Sequence, residues 1–316
     1  MPPTTPDTST GYEALVAPQE ALLAREFPSR VVALSPAAGG TPVQMVIREA
    51  GQGDRTVVLL HGIGSGSASW LEVARELVRI APGVRVIAWD APGYAESTPL
   101  QPEAPLAPDY AARLSALLAA LGVRPDVLVG HSLGAFTACA SAHGFAAGTA
   151  GSVVLLSPAG GYGAPGMEAA RDKVLAQRLG RLDEQGVSGM AVEAGKVGGR
   201  MFSANASPLV RAWVRWNTAR LVDAGYRQAV QMLCNDSLPR YAPLAMQAEV
   251  HVGDDDIVTT PASCRQIAEQ FGASFGLIAG PGHASPIEHP AAVAAIIAAA
   301  VRRAFGEAAP EPSEQR

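Results

Sequence analysis

Short runs of apolar and β-branched residues recur along the chain, at 56–60 (TVVLL), 84–89 (VRVIAW), 126–129 (DVLV), 152–156 (SVVLL), 248–252 (AEVHV) and 274–279 (SFGLIA). Several are apolar at consecutive positions, the pattern of strands covered on both faces in a parallel sheet. An earlier pair, 30–35 and 41–49, reads as an antiparallel hairpin at the sheet edge. Between the runs lie stretches with helical spacing. Leu114, Leu117, Leu118 and Leu121 share one face, and Gly122 supplies a stop. Thr260 and Pro261 open a further helix that Gly272 closes, and Pro290 opens a last one that continues to about Phe305. Strands alternating with helices, joined by right-handed crossovers, predict a doubly wound, mostly parallel α/β sheet.

The alternation fails between Ala159 and Met246. That interval has no convincing strand, only helical stretches separated by glycines such as Gly180, Gly186, Gly198 and Gly199, and it is too long for a loop. The expected organisation is therefore a core over residues 1–158, a helical cap over 159–246 and a second core segment over 247–306. The ends, 1–10 and 307–316, are polar, Pro-rich or Glu-rich and are expected to be disordered tails.

Bulk properties narrow the possibilities further. Apolar residues make up 48% of the 316, enough for a sizeable core. The net charge of −5 gives no basic surface for nucleic acid. Lys173 and Lys196 are the only lysines, so positive charge is almost all arginine. Cys139, Cys234 and Cys264 are widely spaced and suggest buried thiols, neither a disulfide framework nor a zinc site. The first ten residues have no basic n-region or apolar h-region, and no run is long and apolar enough to span a bilayer. A cytoplasmic protein acting on a small molecule is expected, with no membrane or nucleic-acid partner, no metal and no cofactor. Its oligomeric state is left open.

The strongest chemical signal is Gly130-His131-Ser132-Leu133-Gly134, directly after an apolar strand and opening a helix over about 133–145. In that setting the glycines make a sharp elbow that lifts a serine above the sheet edge. The helix start directs backbone N–H groups toward developing negative charge. A serine hydroxyl needs a base. His283 follows the last strand and reaches the same edge. His251 lies within a strand, His143 on a helix and His289 at a helix start, while His61 and His131 more naturally shape loops. A carboxylate must then orient the imidazole. Asp256 is favoured for that role, with Asp254 and Asp255 as alternatives in the same turn. Oxyanion donors are expected from the backbone N–H groups of Leu133 and of Ile63, in the Gly-rich turn His61-Gly62-Ile63-Gly64.

Taken together, HGIG at 61–64, WDAPGY at 89–94 with Ser97, GHSLG at 130–134, GDDDIVTTP at 253–261 and PGHASPIEHP at 281–290 resemble the α/β-hydrolase superfamily from about Thr56 to Phe305. The resemblance implies loop-organising roles for Asp90 and Ser97. Ala95 stands where a glycine is common. A serine nucleophile sets the chain apart from the aspartate-nucleophile branches. The insertion, with Gly225-Tyr226-Arg227-Gln228-Ala229, loosely resembles 3-oxoadipate enol-lactonases and related small-ester hydrolases. This implies hydrolysis of a small carboxylic ester or lactone through an acyl-enzyme. Carbon–carbon bond hydrolysis of the meta-cleavage product type is an alternative, as is a perhydrolase-like side activity or a ligand-binding receptor on the same fold. Trp213, Trp216 and Tyr162 are the expected substrate-binding residues, with Met201, Phe202 and Met232 as further pocket candidates. Arg200, Arg211, Arg215 and Arg220 are candidates for holding a carboxylate.

Overall fold

In the computed structural model, which describes residues 8–34, 42–144 and 151–307, the apolar runs become adjacent strands. They are β1 (Ser29–Leu34), β2 (Val43–Ala50), β3 (Arg55–Leu60), β4 (Val84–Trp89), β5 (Val127–His131), β6 (Ser152–Leu156), β7 (Gln247–Gly253) and β8 (Ser274–Ile278). The sheet order is β1-β2-β4-β3-β5-β6-β7-β8. β1, β2 and β4 pair antiparallel, and every other neighbouring pair is parallel. The central strands β5 and β6 are buried along their whole length, which explains their unbroken apolar sequences. The edge hairpin forms as expected, with Val31 opposite Val46; Ser35 and Thr41 lie outside the described residues.

The helices are α1 (Thr8–Glu26), α2 (Leu71–Ile80), α3 (Ala107–Leu121), α4 (Gly134–Gly144), α5 (Glu168–Ala194), α6 (Pro208–Thr218), α7 (Asp223–Asn235), α8 (Pro261–Phe271), α9 (Ser285–Glu288) and α10 (Pro290–Ala304). Leu114, Leu117 and Leu118 are buried on α3, and Gly122 caps it in the left-handed conformation. On α8, the Thr260 side chain accepts from the Ser263 amide and Gly272 is likewise left-handed. The helix after the elbow is described over Gly134–Gly144, and Phe145 falls outside the described residues.

Two expectations about the ends are corrected. Residues 8–10 open helix α1 and are not tail; α1 buries Val16 and Leu23, with Phe27 following it, in the core cluster that also holds Trp213 and Trp216. Glu307 is tied to Arg55 through both guanidinium NH groups. Residues 1–7 and 308–316 lie outside the described residues.

Between β6 and β7 the chain forms α5, α6, α7 and a 3-10 turn over Leu238–Tyr241, with one antiparallel bridge joining Gly161 and Ser237. α5 is not one straight helix: at Gly186 (φ 61°, ψ −179°) it kinks into two arms. α7 rests on the loop after β4 at Gly93 and Gly225, where backbones meet so closely that a side chain on either would collide. Among the described residues no helix is long and apolar enough to cross a membrane.

Candidate active site

Ser132 sits at the tip of the turn between β5 and α4, with φ 52°. A left-handed serine is strained by roughly 1–2 kcal/mol and persists only where its surroundings fix it. Here its N–H donates to Leu156 O (2.9 Å), and its carbonyl accepts from Ala135 N and Ala159 N (3.2 Å each). The flanking glycines permit the turn. A Cβ on Gly130 would lie 2.7 Å from the Ala135 Cα, and one on Gly134 would press into the Leu60 carbonyl.

His283 lies on the loop between β8 and α9. Its Nε2 is 3.0 Å from Ser132 Oγ, and its Nδ1 is 2.9 Å from Asp256 Oδ2. The three residues, far apart in sequence, are all buried. With Nδ1–H donating to the carboxylate, Nε2 is free to accept the serine proton, the tautomer that base chemistry requires. Asp256 is held on its other side by the amides of Val258 (2.8 Å) and Thr259 (3.0 Å) and by the Thr259 hydroxyl (3.0 Å). Burial pushes its carboxyl up, but the hydrogen bond and charge of His283, with those amides, outweigh it and hold the pKa down at about 2. Asp254 and Asp255 point away and are exposed; Asp254 accepts from the Gly280 amide (2.7 Å).

The turn after β3 is built to a similar standard. His61 donates from Nδ1 to Gly62 O (2.8 Å) and accepts at Nε2 from Ala91 N (3.0 Å). Tyr94 donates its hydroxyl to Ile63 O (2.7 Å), and Asp90 accepts from the Ser67 amide and hydroxyl (2.8 Å each). Ser97 donates to Asp90 O (2.8 Å) and accepts from Val46 N (2.9 Å). These bonds give Asp90 and Ser97 the loop-organising positions that the resemblance implied. Neither the Ile63 nor the Leu133 amide is used in a turn bond among the described residues. Ala95 adopts φ 48°, where glycine would be free of strain.

A cavity of about 450 Å³ opens over Ser132 and His283. Its core side is Gly62, Ile63, Gly64, Ser65 and His131, and α5 roofs it with Gln177, Arg178, Arg181, Met190 and Glu193. Of the insertion residues singled out in the sequence as pocket or carboxylate candidates, Met201 and Arg200 line this cavity, as does Tyr226 of the 225–229 stretch. Trp213, Trp216 and Tyr162 do not. The two indoles stack on one another (centroids 4.3 Å apart), and Trp216 Nε1 donates to Glu20 of α1 (2.7 Å). Their shared helical face was legible, but the helix it packs against was not. Tyr162 packs at the edge of the main core, and its amide donates to Leu233 O (3.0 Å). Phe202 is buried with Ala206, Val214 and Ala284, and Met232 lines a separate small void beside Tyr94 and Tyr110. Arg215 stacks on Tyr12, Arg220 on Trp216, and Arg211 binds the Ala206 carbonyl, so none of these three lines the cavity.

Arg178 and Arg181 are the charged basic cavity residues that the sequence reading missed. The signal was present: Val174, Leu175, Leu179 and Leu182 form the inward stripe of α5, and Arg178 interrupts it four residues from both Val174 and Leu182. The cysteines are all buried and free. Among the described residues, no group of three or more His, Cys, Asp or Glu is placed to hold a metal ion.

Comparison with known proteins adds a family. The sequence model described as the alpha/beta hydrolase family matches residues 57–296. A 2-hydroxy-6-oxononadienedioate/2-hydroxy-6-oxononatrienedioate hydrolase of Pseudomonas putida is 35% identical over 105 residues, 33% of this chain and 37% of that protein. A hydrolase of the same description from Paraburkholderia xenovorans is 36% identical over 33% of this chain and 36% of its own length. The aligned part thus spans little more than a third of these relatives. Among solved structures, a thermophilic esterase from Thermogutta terrifontis superposes with TM-score 0.73 at 23% identity, covering 87% of this chain and 99% of that one. The enol-lactonase from Burkholderia xenovorans LB400 gives 0.70 at 22% identity, covering 82% and 96%.

Proposed function

The chain belongs to the alpha/beta hydrolase family, and we propose that it cleaves a small carboxylic ester or lactone through an acyl-enzyme on Ser132. The observation that carries this reading is the unbroken line of hydrogen bonds from Ser132 Oγ through the His283 ring to Asp256. Ser132 Oγ attacks the substrate carbonyl as His283 Nε2 takes its proton. The negative charge that develops on the carbonyl oxygen faces the amides of Ile63 and Leu133. Collapse of that adduct expels the leaving oxygen, which His283 protonates. A water molecule, deprotonated by His283, then attacks the acyl-enzyme and releases the acid. Asp256 stays ionised throughout and stabilises the imidazolium formed in each half-reaction.

Carbon–carbon bond hydrolysis is the second reading, favoured by the activity for which the Pseudomonas putida and Paraburkholderia xenovorans relatives are named. Covalent labelling by a fluorophosphonate, together with turnover of p-nitrophenyl acetate against a 2-hydroxy-6-oxononadienedioate, separates the two. Ser132-dependent labelling with preferred ester turnover supports the first reading, and preferred dienedioate turnover replaces it with the second. Tight ligand binding with no turnover in either wild type or Ser132→Ala would make the protein a receptor.

A further inference from the structure

The roof of the cavity has a charge that the fold leaves unanswered. Arg178 is half-buried on the inward stripe of α5, between Val174 and Leu182, where an apolar residue would pack without penalty. It has no ion pair or hydrogen bond among the described residues. It lines the same cavity as Ile63, Ser132 and His283. Arg181, one turn further on, is exposed to solvent but lines the same wall and has no ion pair or hydrogen bond among the described residues. Arg200 is at the rim, bound to the Ile257 carbonyl (3.2 Å). The acidic residue of the lining, Glu193, is already paired with Lys196. The wall therefore has an excess of positive charge, and Arg178, partly withdrawn from water without a partner, is the guanidinium that gains most from an anion arriving to pair with it.

We propose that the part of the cavity beneath α5 is a carboxylate subsite, with Arg178 as its anchor and Arg181 as its second cation, and that the natural substrate is an anionic ester or lactone. The inference rests on the reading of Ser132 as the hydrolytic nucleophile, because the carboxylate is placed relative to that serine. A guanidinium presents a planar fork of N–H donors that matches a carboxylate, and in a partly desolvated pocket such a charge-assisted pair is stronger than at the surface.

Two measurements on the intact protein test it. The first compares hydrolysis of 4-acetoxybenzoate with that of the neutral 4-acetoxybenzamide. The second titrates glutarate, and separately inorganic phosphate, into the protein by calorimetry. Both use wild type, Arg178→Gln, Arg178→Lys and, as a control on the same helix outside the cavity, Arg171→Gln. The expected result is a wild-type preference for the anionic ester that falls on the order of 10- to 100-fold in Arg178→Gln. Arg178→Lys should recover part of it, and glutarate binding should weaken in parallel and with added salt. Glutarate binding that is absent, or indifferent to Arg178→Gln, overturns the proposal. Phosphate binding as tight as glutarate overturns the carboxylate assignment. If neither ester is turned over, the nucleophile reading fails, and the titration still decides the subsite: Arg178-dependent glutarate binding sustains it and its absence removes it.

Discussion

His131 Nε2–H donates to the backbone carbonyl of His283 across 2.8 Å, so the residue just before Ser132 holds the loop that carries the His283 ring. Both rings are buried, 5.1 Å apart between centroids. Burial, and then the neighbouring charge of His283, push the His131 ring down to about 3. It stays neutral wherever the protein is folded at ordinary pH.

That gives a signed prediction for stability. Between about pH 6.5 and 3 the unfolded chain takes up a proton on this residue that the folded chain refuses. Stability contributed by neutral His131 is thus complete above 6.5 and is lost as pH falls toward 3, by up to about 1.4 kcal/mol per pH unit. Urea unfolding at pH 7, 6 and 5 should show that slope, and His131→Gln should flatten it. An unchanged slope in the variant would place the linkage elsewhere.

Asp256→Asn should lower kcat by about 10³- to 10⁴-fold, because an amide cannot hold the imidazole in the required tautomer or stabilise its protonated form. Asp254→Asn and Asp255→Asn, which alter exposed side chains, should stay within a few-fold of wild type. Steady-state ester hydrolysis checks the ranking. Since the Asp256 carboxyl is held at about 2, acid loss of activity between pH 7 and 4 should not report its titration.

Glu288 accepts from the amide (2.8 Å) and hydroxyl (3.0 Å) of Ser203 and from the Gly282 amide, clasping the insertion to the His283 loop. Glu288→Gln is expected to cost about 1–2 kcal/mol of local stability. Amide exchange at Ser203 and Gly282 should accelerate together, with a drop in kcat. Acceleration at one site alone would show that the two segments are not coupled through this carboxylate.

Two glycines should respond in opposite directions. Gly134→Ala drives a methyl into the Leu60 carbonyl and should destabilise by about 1–3 kcal/mol. Gly180→Ala, in helical backbone on α5 with open space around it, should stabilise by roughly 0.5–1 kcal/mol. Thermal or urea unfolding of the pair distinguishes them.

The sheet was legible because doubly covered strands are written as consecutive apolar residues, and the Ser132 elbow was legible because its flanking glycines are sterically required. Asp256 could be favoured but not separated from Asp254 and Asp255, since only the turn geometry decides which carboxylate faces inward. α1 left little trace: it contains Pro18, and its apolar face answers to α6, far along the chain. Missing α1 also turned the Trp213–Trp216 face toward the wrong neighbour. Arg178 is the reverse case. Its misfit on an apolar stripe is visible in the sequence, but only the fold shows that the stripe borders a cavity.

β6 and β7 are hydrogen-bonded neighbours, with Leu156 opposite His251, although α5, α6 and α7 come between them in the chain. The polypeptide leaves the sheet and rejoins it one strand over, so those helices are a detour whose two ends are fixed by the scaffold. Ser132 precedes the detour, and Asp256 and His283 follow it. Substitutions, insertions or wholesale replacement within the detour can reshape what is admitted while Ser132, Asp256 and His283 keep their places, and under the proposed mechanism selectivity and chemistry are thereby free to evolve at separate rates.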